Sequence, residues 1–251
     1  MTTKVYENSL RAERLLELLL SSPDVLRFSE IIILPIPTTR DGVTVSGCGI
    51  PLHDVVDEAH AGTLVLGYGL PEWFTDLLST LGASFVDVAR DEEFLVGNAS
   101  LTALATLGVL LDNGRAALSD LKIGIVGYGR IGRALLRDLL YFGADVTVFT
   151  SRESVRVELG EMGIRSEGVT RDADIGGLDI LINTAPAVSA FLDEIPDTVR
   201  IIELASGENF PSLTVEKYPS LPARKFPLSA GGEWYRSVIR ALSRMGGGYA
   251  G

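Results

Sequence analysis

The fold is decided by Leu121-Lys122-Ile123-Gly124-Ile125-Val126-Gly127-Tyr128-Gly129-Arg130-Ile131-Gly132, in a chain of 251 residues. An apolar strand here runs into a Gly-x-Gly-x-x-Gly turn, a helix is predicted over 130–142, and a second strand is predicted over 145–150. Together these elements have the length of about 30 residues that a dinucleotide-binding βαβ unit requires. The glycine motif would be a weak signal alone, and its position between a strand and a helix makes it specific.

The three glycines have separate physical roles in such a turn. Gly127 permits the tight turn, Gly129 lets a pyrophosphate approach the backbone, and Gly132 lets the helix pack close to the sheet. The first turn of the helix then offers N–H groups and the positive end of its dipole to the phosphates. We therefore predict a cofactor site that includes Gly127, Tyr128, Gly129, Arg130, Ile131 and Gly132. The alternative is a glycine-rich turn that binds no ligand.

The end of the second strand bears on the choice between NADP and NAD. NAD-binding units carry an acidic residue about 20 positions after the glycines, where it binds the ribose hydroxyls. Here the segment reads Phe149-Thr150-Ser151-Arg152, without a carboxylate. Arg152 can pair with a 2′-phosphate through a charge-assisted bond, and the hydroxyls of Thr150 and Ser151 can donate to it. The segment predicts NADP, with NAD as the alternative cofactor; Arg152 would otherwise be a solvated surface residue.

Two later strands end in loops that are expected to face the same cofactor. These strands are predicted over 179–183 and 200–204. In a doubly wound sheet, ligands lie beyond the carboxyl ends of the strands. We therefore add to the cofactor site Asn183, Thr184, Ala185, Pro186, Ala205 and Ser206. Ordinary strand-to-helix turn chemistry is the alternative for both loops.

The alternation of strands and helices extends to both sides of the glycine block. A helix is predicted over the first 27 residues, and further elements are predicted over 31–34, 63–67, 71–81, 84–88 and 233–245. The pattern predicts an α/β fold with two α/β domains, of which the second is a Rossmann-type doubly wound parallel sheet. A long interdomain helix over 98–112 joins them, and a C-terminal helix returns to the first. We assign 1–112, completed by 233–251, to an N-terminal domain and 113–232 to the dinucleotide-binding domain.

The composition limits the partners. The formal net charge is −11, from 22 Lys and Arg against 33 Asp and Glu, which argues against nucleic acid or an anionic membrane surface as a partner. With Cys48 as the only cysteine and His53 and His60 as the only histidines, we expect no metal site. No apolar stretch approaches the ~20 residues that cross a bilayer, and 1–17 lacks the pattern of an export signal. We expect a cytoplasmic protein without a membrane partner.

Several motifs together resemble the A-subunit family of dipicolinate synthase, within the wider set of two-domain formate/glycerate-dehydrogenase-like proteins. The resemblance covers most of 30–245 and is more specific in the dinucleotide-binding half. The motifs that carry it are Ile31 to Pro35 with Thr38, Thr39 and Gly42, Asn98-Ala99-Ser100-Leu101-Thr102-Ala103, the Gly127 block, Ile182-Asn183-Thr184-Ala185-Pro186, Glu203-Leu204-Ala205-Ser206 and Pro227-Leu228-Ser229-Ala230-Gly231.

The resemblance implies a pyridine-nucleotide oxidoreductase that acts on a dihydrodipicolinate-like dicarboxylate and has a separate second synthase subunit for its partner. The substrate would bind in the cleft between the domains, and the candidate residues there are Thr38, Thr39, Arg40, Asn98, Ser100 and Thr102. Arg40 can pair with a carboxylate, although a loop arginine is often only solvated. A homodimer is expected because dimers are common in this architecture.

The chain departs from the family pattern in two places. Family members begin with a further strand and a glycine turn, whereas this sequence is predicted to begin with a helix. Leu101 and Leu104 stand where the family has Pro and Glu. These departures concern the substrate more than the cofactor. They favour a second hypothesis, in which the chain is an NAD(P)-binding partner or regulatory subunit with little catalysis of its own.

A D-2-hydroxyacid dehydrogenase is the third hypothesis. That chemistry needs a histidine as general acid or base and an arginine for the substrate carboxylate. No histidine follows His60, and the region where the catalytic histidine would lie reads Leu228-Ser229-Ala230-Gly231-Gly232. This hypothesis is therefore ranked below the other two.

Overall fold

The computed structural model describes residues 1–112, 116–170, 173–186, 195–205, 209 and 214–246. The described residues form ten strands and eight α-helices, numbered in chain order, and the sheets are parallel throughout. The chain divides into two compact units: unit 1 comprises Met1–Asn98 and Phe226–Gly251, and unit 2 comprises Ala99–Lys225. The predicted α/β fold is confirmed. The units divide at residues 98 and 225, where the sequence-based assignment placed the boundaries at 112 and 232.

Unit 1 contains a four-stranded sheet with the order β1-β2-β3-β4. Its strands are β1 (Thr2–Val5), β2 (Glu30–Ile33), β3 (Thr63–Gly67) and β4 (Ser84–Asp87). Its helices are α1 (Leu10–Leu20), α2 (Leu52–Glu58), α3 (Glu72–Thr80), the first part of α4 (Glu92–Asp112), and α8 (Pro227–Gly246). Ile31 and Ile33 pack in one core with α1 and α8, whereas Ile32 and Leu34 pack in another with α2 and α3. Burial on both faces explains why the sequence at β2 is an uninterrupted apolar run.

The prediction of a helix over the first 27 residues is wrong at its start. Thr2–Val5 forms the edge strand β1, in parallel register with β2. Four residues are too few to show a periodic pattern, and the strand forms because β2 supplies its backbone partners. Helix α1 begins at Leu10, and the Ser9 side chain caps it by accepting a hydrogen bond from Ala12 N. A strand thus precedes α1, which removes one part of the first departure from the family pattern.

Helix α8 is longer than the predicted 233–245. It begins at Pro227, which has no N–H to lose at the first helical position. Gly231 lies inside the helix, and a Cβ there would come within 2.7 Å of the Arg11 carbonyl oxygen and 2.8 Å of Arg14 Cβ. The glycine therefore allows α8 to approach α1 closely. Trp234, one turn further, is fully buried.

Unit 2 contains a six-stranded sheet with the order β10-β9-β8-β5-β6-β7. Its strands are β5 (Lys122–Val126), β6 (Asp145–Phe149), β7 (Arg165–Glu167), β8 (Ile180–Asn183), β9 (Arg200–Glu203) and β10 (Val215–Lys217). Its helices are the second part of α4, α5 (Arg130–Tyr141), α6 (Glu153–Glu161) and α7 (Leu221–Lys225). The strand order reverses between β5 and β8, which makes the carboxyl ends of these two strands the expected ligand crevice. The predicted Rossmann-type sheet is confirmed.

Helix α4 corrects the expectation that no apolar stretch approaches bilayer length. It spans 21 residues, and its most apolar 18-residue window has a mean hydropathy of 1.8 and is half buried. Among the described residues it is the one helix that is long and apolar enough to cross a membrane. A core helix of a globular domain has the same composition, because it is apolar all round.

Candidate functional site

The carboxyl ends of four strands of unit 2 are aligned at one edge of the sheet. Val126 of β5 is in register with Phe149 of β6 on one side and with Asn183 of β8 on the other. Asn183 is in turn in register with Glu203 of β9. The loops that the sequence predicts to bind the cofactor therefore leave the sheet at the same edge, around the point of strand reversal.

The glycine turn after β5 has the geometry that the motif predicts. Gly127 has φ +94°, in the left-handed region that side chains avoid. A Cβ on Gly132 would collide with the Gly127 carbonyl oxygen, so close packing requires this glycine. A Cβ on Gly129 would meet nothing within 4 Å. The turn thus needs glycine at 127 and 132 for its own structure, whereas Gly129 borders open space of the kind that a pyrophosphate would fill.

The N-terminus of α5 is left available by its cap residue. Gly129 is the N-cap and makes no side-chain hydrogen bond to the first turn. The backbone N–H groups of such a turn are good ligands for phosphate oxygens. Tyr128 is buried, and the Arg133 guanidinium lies 4.7 Å from the centre of its ring. The Tyr128 side chain therefore braces the turn from inside the protein.

Thr184 ties the loop after β8 to the glycine turn. Its hydroxyl lies 2.9 Å from the Val126 carbonyl oxygen and 3.3 Å from that of Gly127, and it donates to them, while its backbone N–H also donates to Val126 O. The hydroxyl proton is thus directed to the backbone rather than to a ligand. Ala185 is half-buried and Pro186 is exposed beside it.

Two arginines lie at the end of β6. Arg152 Nη2 donates to the Tyr128 carbonyl oxygen at 2.9 Å, and Arg156 Nη1 donates to the Thr150 carbonyl oxygen at 2.8 Å. The Thr150 side chain is buried and accepts from Arg152 N, whereas Ser151 and Arg152 are exposed. A guanidinium carries five N–H donors, so the bond to Tyr128 does not exhaust Arg152. The structure therefore places a cationic residue against the glycine turn.

The side chain of Asn183 is turned into the protein, at the start of the loop that is predicted to face the cofactor. The residue is fully buried, and Nδ2 donates to both carboxylate oxygens of Glu203, at 2.9 and 3.1 Å, and to the Ala185 carbonyl oxygen. Its Oδ1 accepts from Ala185 N. These bonds turn the amide into the protein, because a buried amide must satisfy its own donors and acceptors.

Glu203 is the residue that sequence reasoning missed. It is 3% exposed, and its carboxylate accepts hydrogen bonds from Asn183, from Ala205 N and from Asn209 Nδ2. The sequence does contain a signal, because Glu203 continues the apolar run Ile201-Ile202 of a buried strand. Charged residues are rarely buried, so a carboxylate in this position is unusual. Ala205 is half-buried, and Ser206 lies outside the described residues.

The substrate candidates of unit 1 lie in the loop after β2. Thr38 is fully buried, and its hydroxyl donates to Pro35 O and accepts from Tyr68 N at 2.8 Å. The Thr38 hydroxyl therefore joins two loops, and the contact of Thr38 with substrate stays a prediction. Thr39 donates to Asp41 and accepts from Gly42 N, and Arg40 is exposed.

Asp41 holds this loop together. Its carboxylate accepts from the Thr44 hydroxyl and from the backbone N–H groups of Thr44 and Val43, and these bonds hold the pKa of Asp41 well below its usual range. Arg40 thus projects from a loop whose neighbouring polar groups are already bonded to one another.

The remaining substrate candidates lie on α4 and do not share one face. Asn98 and Thr102 are one turn apart, whereas Ser100 lies on the opposite side of the helix. Asn98 and Ser100 are half-buried, and Thr102 is buried. Thr106 Oγ1 donates to the Thr102 carbonyl oxygen. Among the described residues, no group of three or more His, Cys, Asp and Glu side chains is arranged to hold a metal ion.

Comparisons with known proteins agree with this geometry. Residues 110–207 match the family model "D-isomer specific 2-hydroxyacid dehydrogenase, NAD binding domain". No significant match was found among curated protein sequences. The matched segment begins in the last turn of α4 and contains the glycine turn and the strands β5 to β9. The match supports a nicotinamide dinucleotide as cofactor.

Solved structures show the same fold over nearly the whole chain. The dipicolinate synthase A-subunit from Bacillus halodurans is 17% identical, with a TM-score of 0.76 over 96% of this chain and 97% of that one. Its counterpart from Bacillus subtilis is 17% identical, with a TM-score of 0.74 over 98% and 97%. D-lactate dehydrogenase of Salmonella is 14% identical, with a TM-score of 0.59 over 100% and 98%. The predicted resemblance is confirmed at the level of the fold: this chain has the fold of the dipicolinate synthase A-subunit, with a 2-hydroxyacid-dehydrogenase-type NAD-binding domain.

Proposed function

We propose that this chain is an NADP-dependent oxidoreductase that oxidises or reduces a small, dihydrodipicolinate-like dicarboxylate. The observation that carries the proposal is the position of Arg152 at the end of β6, where it bonds to the backbone of the glycine turn. No carboxylate stands among residues 149–152 to repel a 2′-phosphate or to bind a free ribose hydroxyl pair. A cation in this position favours NADP over NAD.

The residues of unit 2 divide the binding of the cofactor among them. The first turn of α5, capped only by Gly129, offers N–H groups to the pyrophosphate. Arg152 and the exposed Ser151 serve the 2′-phosphate, and Arg156 holds the Thr150 carbonyl so that this segment keeps its shape. When bound, the nicotinamide supplies the carbon that takes or gives the hydride, and the protein supplies position and electrostatics.

The substrate class rests on the resemblance and on one residue of unit 1. Arg40 is the only cation in the segment 34–51, and it is exposed at the carboxyl side of β2. The bonds of Asp41 and Thr39 fix the loop on either side of it. A rigid loop lowers the entropic cost of holding an arginine for a substrate carboxylate.

Titration of the purified chain with NADPH and NADH, followed by the fluorescence of the reduced ring, tests the cofactor. We expect a Kd for NADPH at least about tenfold below that for NADH, because a charge-assisted bond to phosphate is among the strong hydrogen bonds. Equal affinities, or no binding of either, would contradict the proposal. Turnover is tested by the absorbance change of NADP⁺ mixed with dihydrodipicolinate.

A second candidate is an NAD(P)-binding partner subunit without strong catalysis. Leu104 favours it, because this residue of α4 is 49% exposed at the place where the resemblance puts a glutamate. NADPH binding without turnover would select this function. A D-2-hydroxyacid dehydrogenase remains disfavoured, since unit 2 contains no histidine to act as general acid.

The assembly is also a proposal that rests on the resemblance. We propose a homodimer that works with a separate second subunit. Light scattering on the purified chain gives the mass of the assembly, and a monomer at micromolar concentration would contradict the dimer. Turnover that emerges only once the second subunit is present would support the partnership, whereas full turnover by this chain alone would contradict it.

A further inference from the structure

The buried carboxylate of Glu203 is surrounded by neutral donors. Oε1 accepts from Asn183 Nδ2 and from Ala205 N, each at 2.9 Å. Oε2 accepts from Asn183 Nδ2 at 3.1 Å and from Asn209 Nδ2 at 3.0 Å. Each of these described neighbours donates an N–H, and a carboxylate oxygen is a good acceptor for such donors.

In the part of the chain that the structure describes, no cation forms an ion pair with this carboxylate, and Lys217, which is in register with Glu203 on β10, is exposed. None of the ion pairs there includes Glu203. The neighbouring segments 187–194, 206–208 and 210–213 contain no Lys, Arg or His in their sequence. A buried carboxylate that is bonded only by neutral donors keeps its negative charge uncompensated, so it would attract a positive group that came close to it.

The position of Glu203 relative to the glycine turn indicates what that partner is. The proposed 2′-phosphate contact lies at the end of β6, and the proposed pyrophosphate contact follows β5. A dinucleotide that continues across the edge of the sheet carries its nicotinamide half toward β8 and β9. Asn183 and Glu203 end these two strands, in register with Val126. Neighbouring strands are about 4.8 Å apart, so β9 lies about 10 Å from β5.

We propose that Glu203 determines a preference of this site for the oxidised over the reduced nicotinamide. The inference rests on the proposed function, since it requires a dinucleotide at the glycine turn. The oxidised ring carries a positive charge and the reduced ring carries none. A buried carboxylate therefore attracts only the oxidised ring, and it does so strongly because burial lowers the local dielectric constant. Asn183 and Asn209 hold the carboxylate in place without cancelling its charge.

The test compares dissociation constants for NADP⁺ and NADPH in the wild type, in Glu203→Gln and in Glu216→Gln. Glu216 is a matched control on the neighbouring strand β10, where it is partly exposed and pairs with Arg200. NADPH is titrated by its fluorescence, and NADP⁺ by competition with it. We expect Glu203→Gln to shift the ratio of the two constants about tenfold against NADP⁺. Glu216→Gln should leave the ratio within about twofold of the wild type, because an exposed charge is screened.

The ratio of the dissociation constants for NADP⁺ and NADPH distinguishes an electrostatic effect of Glu203 from a structural one. A loop that is merely loosened would weaken both forms equally, so an unchanged ratio in Glu203→Gln overturns the inference and leaves the proposed function standing. The wild type gives an independent result that needs no variant: it must bind NADP⁺ more tightly than NADPH, and the opposite order overturns the inference. A wild type that binds no dinucleotide overturns the proposed function itself.

Discussion

Helices α1 and α5 both follow the carboxyl end of a parallel strand, and their N-termini are built in opposite ways. Ser9 caps α1 by accepting from Ala12 N, and its hydroxyl donates to Glu7 at 2.6 Å. Glu7 is also bonded by Arg11. Helix α5 instead begins at a glycine cap that makes no side-chain bond to the first turn.

The difference concerns the first-turn N–H groups, which at α5 find no acceptor in the side chain of the cap residue. Unpaired N–H groups at a helix start must find acceptors, and α1 finds one in its own side chains. Helix α5 lacks that internal acceptor and has open space over Gly129. The glycine at the cap therefore matters because it has no side chain that could accept hydrogen bonds from the first-turn N–H groups of α5.

The largest expected effect comes from filling that space with Gly129→Val. The backbone at Gly129 is extended, with φ −86°, so valine is tolerated by the fold. The branched side chain would occupy the pyrophosphate position, and we expect NADPH affinity to fall by about a hundredfold or more, as phosphate contacts are lost. Calorimetric titration measures the change. Gly160→Val in α6 is a control at which a Cβ also meets nothing, and unchanged affinity in Gly129→Val would refute the assignment.

Arg152→Glu is expected to have the next largest effect. Replacing the cation by an anion removes the proposed phosphate contact and adds repulsion, so NADPH affinity should fall about tenfold or more, whereas NADH affinity should be kept or improved. Fluorescence titration with both nucleotides measures the shift. Arg137→Glu changes an exposed arginine on α5 that pairs with Asp138, and it serves as the control. Equal NADPH affinity in wild type and Arg152→Glu would show that Arg152 does not contribute to NADPH binding.

Ser9→Ala tests the comparison of the two N-termini at α1, the helix that is capped by its own side chain. Loss of the cap should lower the free energy of unfolding by about 1 kcal/mol, because a first-turn N–H of α1 loses its acceptor. NADPH affinity should not change, since this helix start is satisfied internally. Urea denaturation measures the stability. A loss of nucleotide affinity while the variant remains fully folded would contradict the division of roles between the two helices.

Tyr6→Phe should have the smallest effect, and the effect should depend on pH. Burial, together with the hydrogen bond from the Tyr6 hydroxyl to Glu58, raises the pKa of Tyr6 to about 12. The unfolded chain has the ordinary value near 10, so the folded state holds the proton more tightly. The stabilisation is full below pH ~10 and is lost as the pH rises toward 12.

Urea denaturation of wild type and Tyr6→Phe from about pH 8 to about pH 11.5 tests this sign. The two proteins should differ most at the low end of this range and converge as the pH rises. Tyr141→Phe removes the hydroxyl of a tyrosine that is 86% exposed, and it is the control. A difference that grows with pH would mean that the Tyr6 hydroxyl is not held as described.

The sequence was sufficient to predict those features of the structure that depend on residues close together in the chain. The turn from Gly127 to Gly132 depends on a positive φ and on one close contact between residues five apart, and both can be inferred from glycine spacing. The strands β2, β3, β5 and β6 are largely buried on both faces, so their apolar runs were visible. The family resemblance also led to the correct fold, because it depended on the order of such elements.

The short edge strands β1, β7 and β10 escaped prediction for a common reason. They contain three or four mostly polar residues, such as Arg165–Glu167, and they are held by the backbone of a neighbouring strand. Their stability comes from partners that are distant in sequence, so no pattern within the segment reveals them. Helix α8 was underestimated because Gly231 reads as a helix breaker until its contact with α1 is known.

By itself, the sequence determined the order of the main strands and helices, the glycine turn and the cation that follows β6, since each depends on residues that are neighbours in the chain. Only the tertiary structure decided that the Asn183 side chain turns inward, that Thr38 joins two loops and that Glu203 is a buried carboxylate. Asn183 and Glu203 are 20 residues apart and meet because β8 and β9 are paired in register. The direction of a polar side chain at a strand end depends on which partners the sheet brings within hydrogen-bonding distance, and that is a property of the assembled fold.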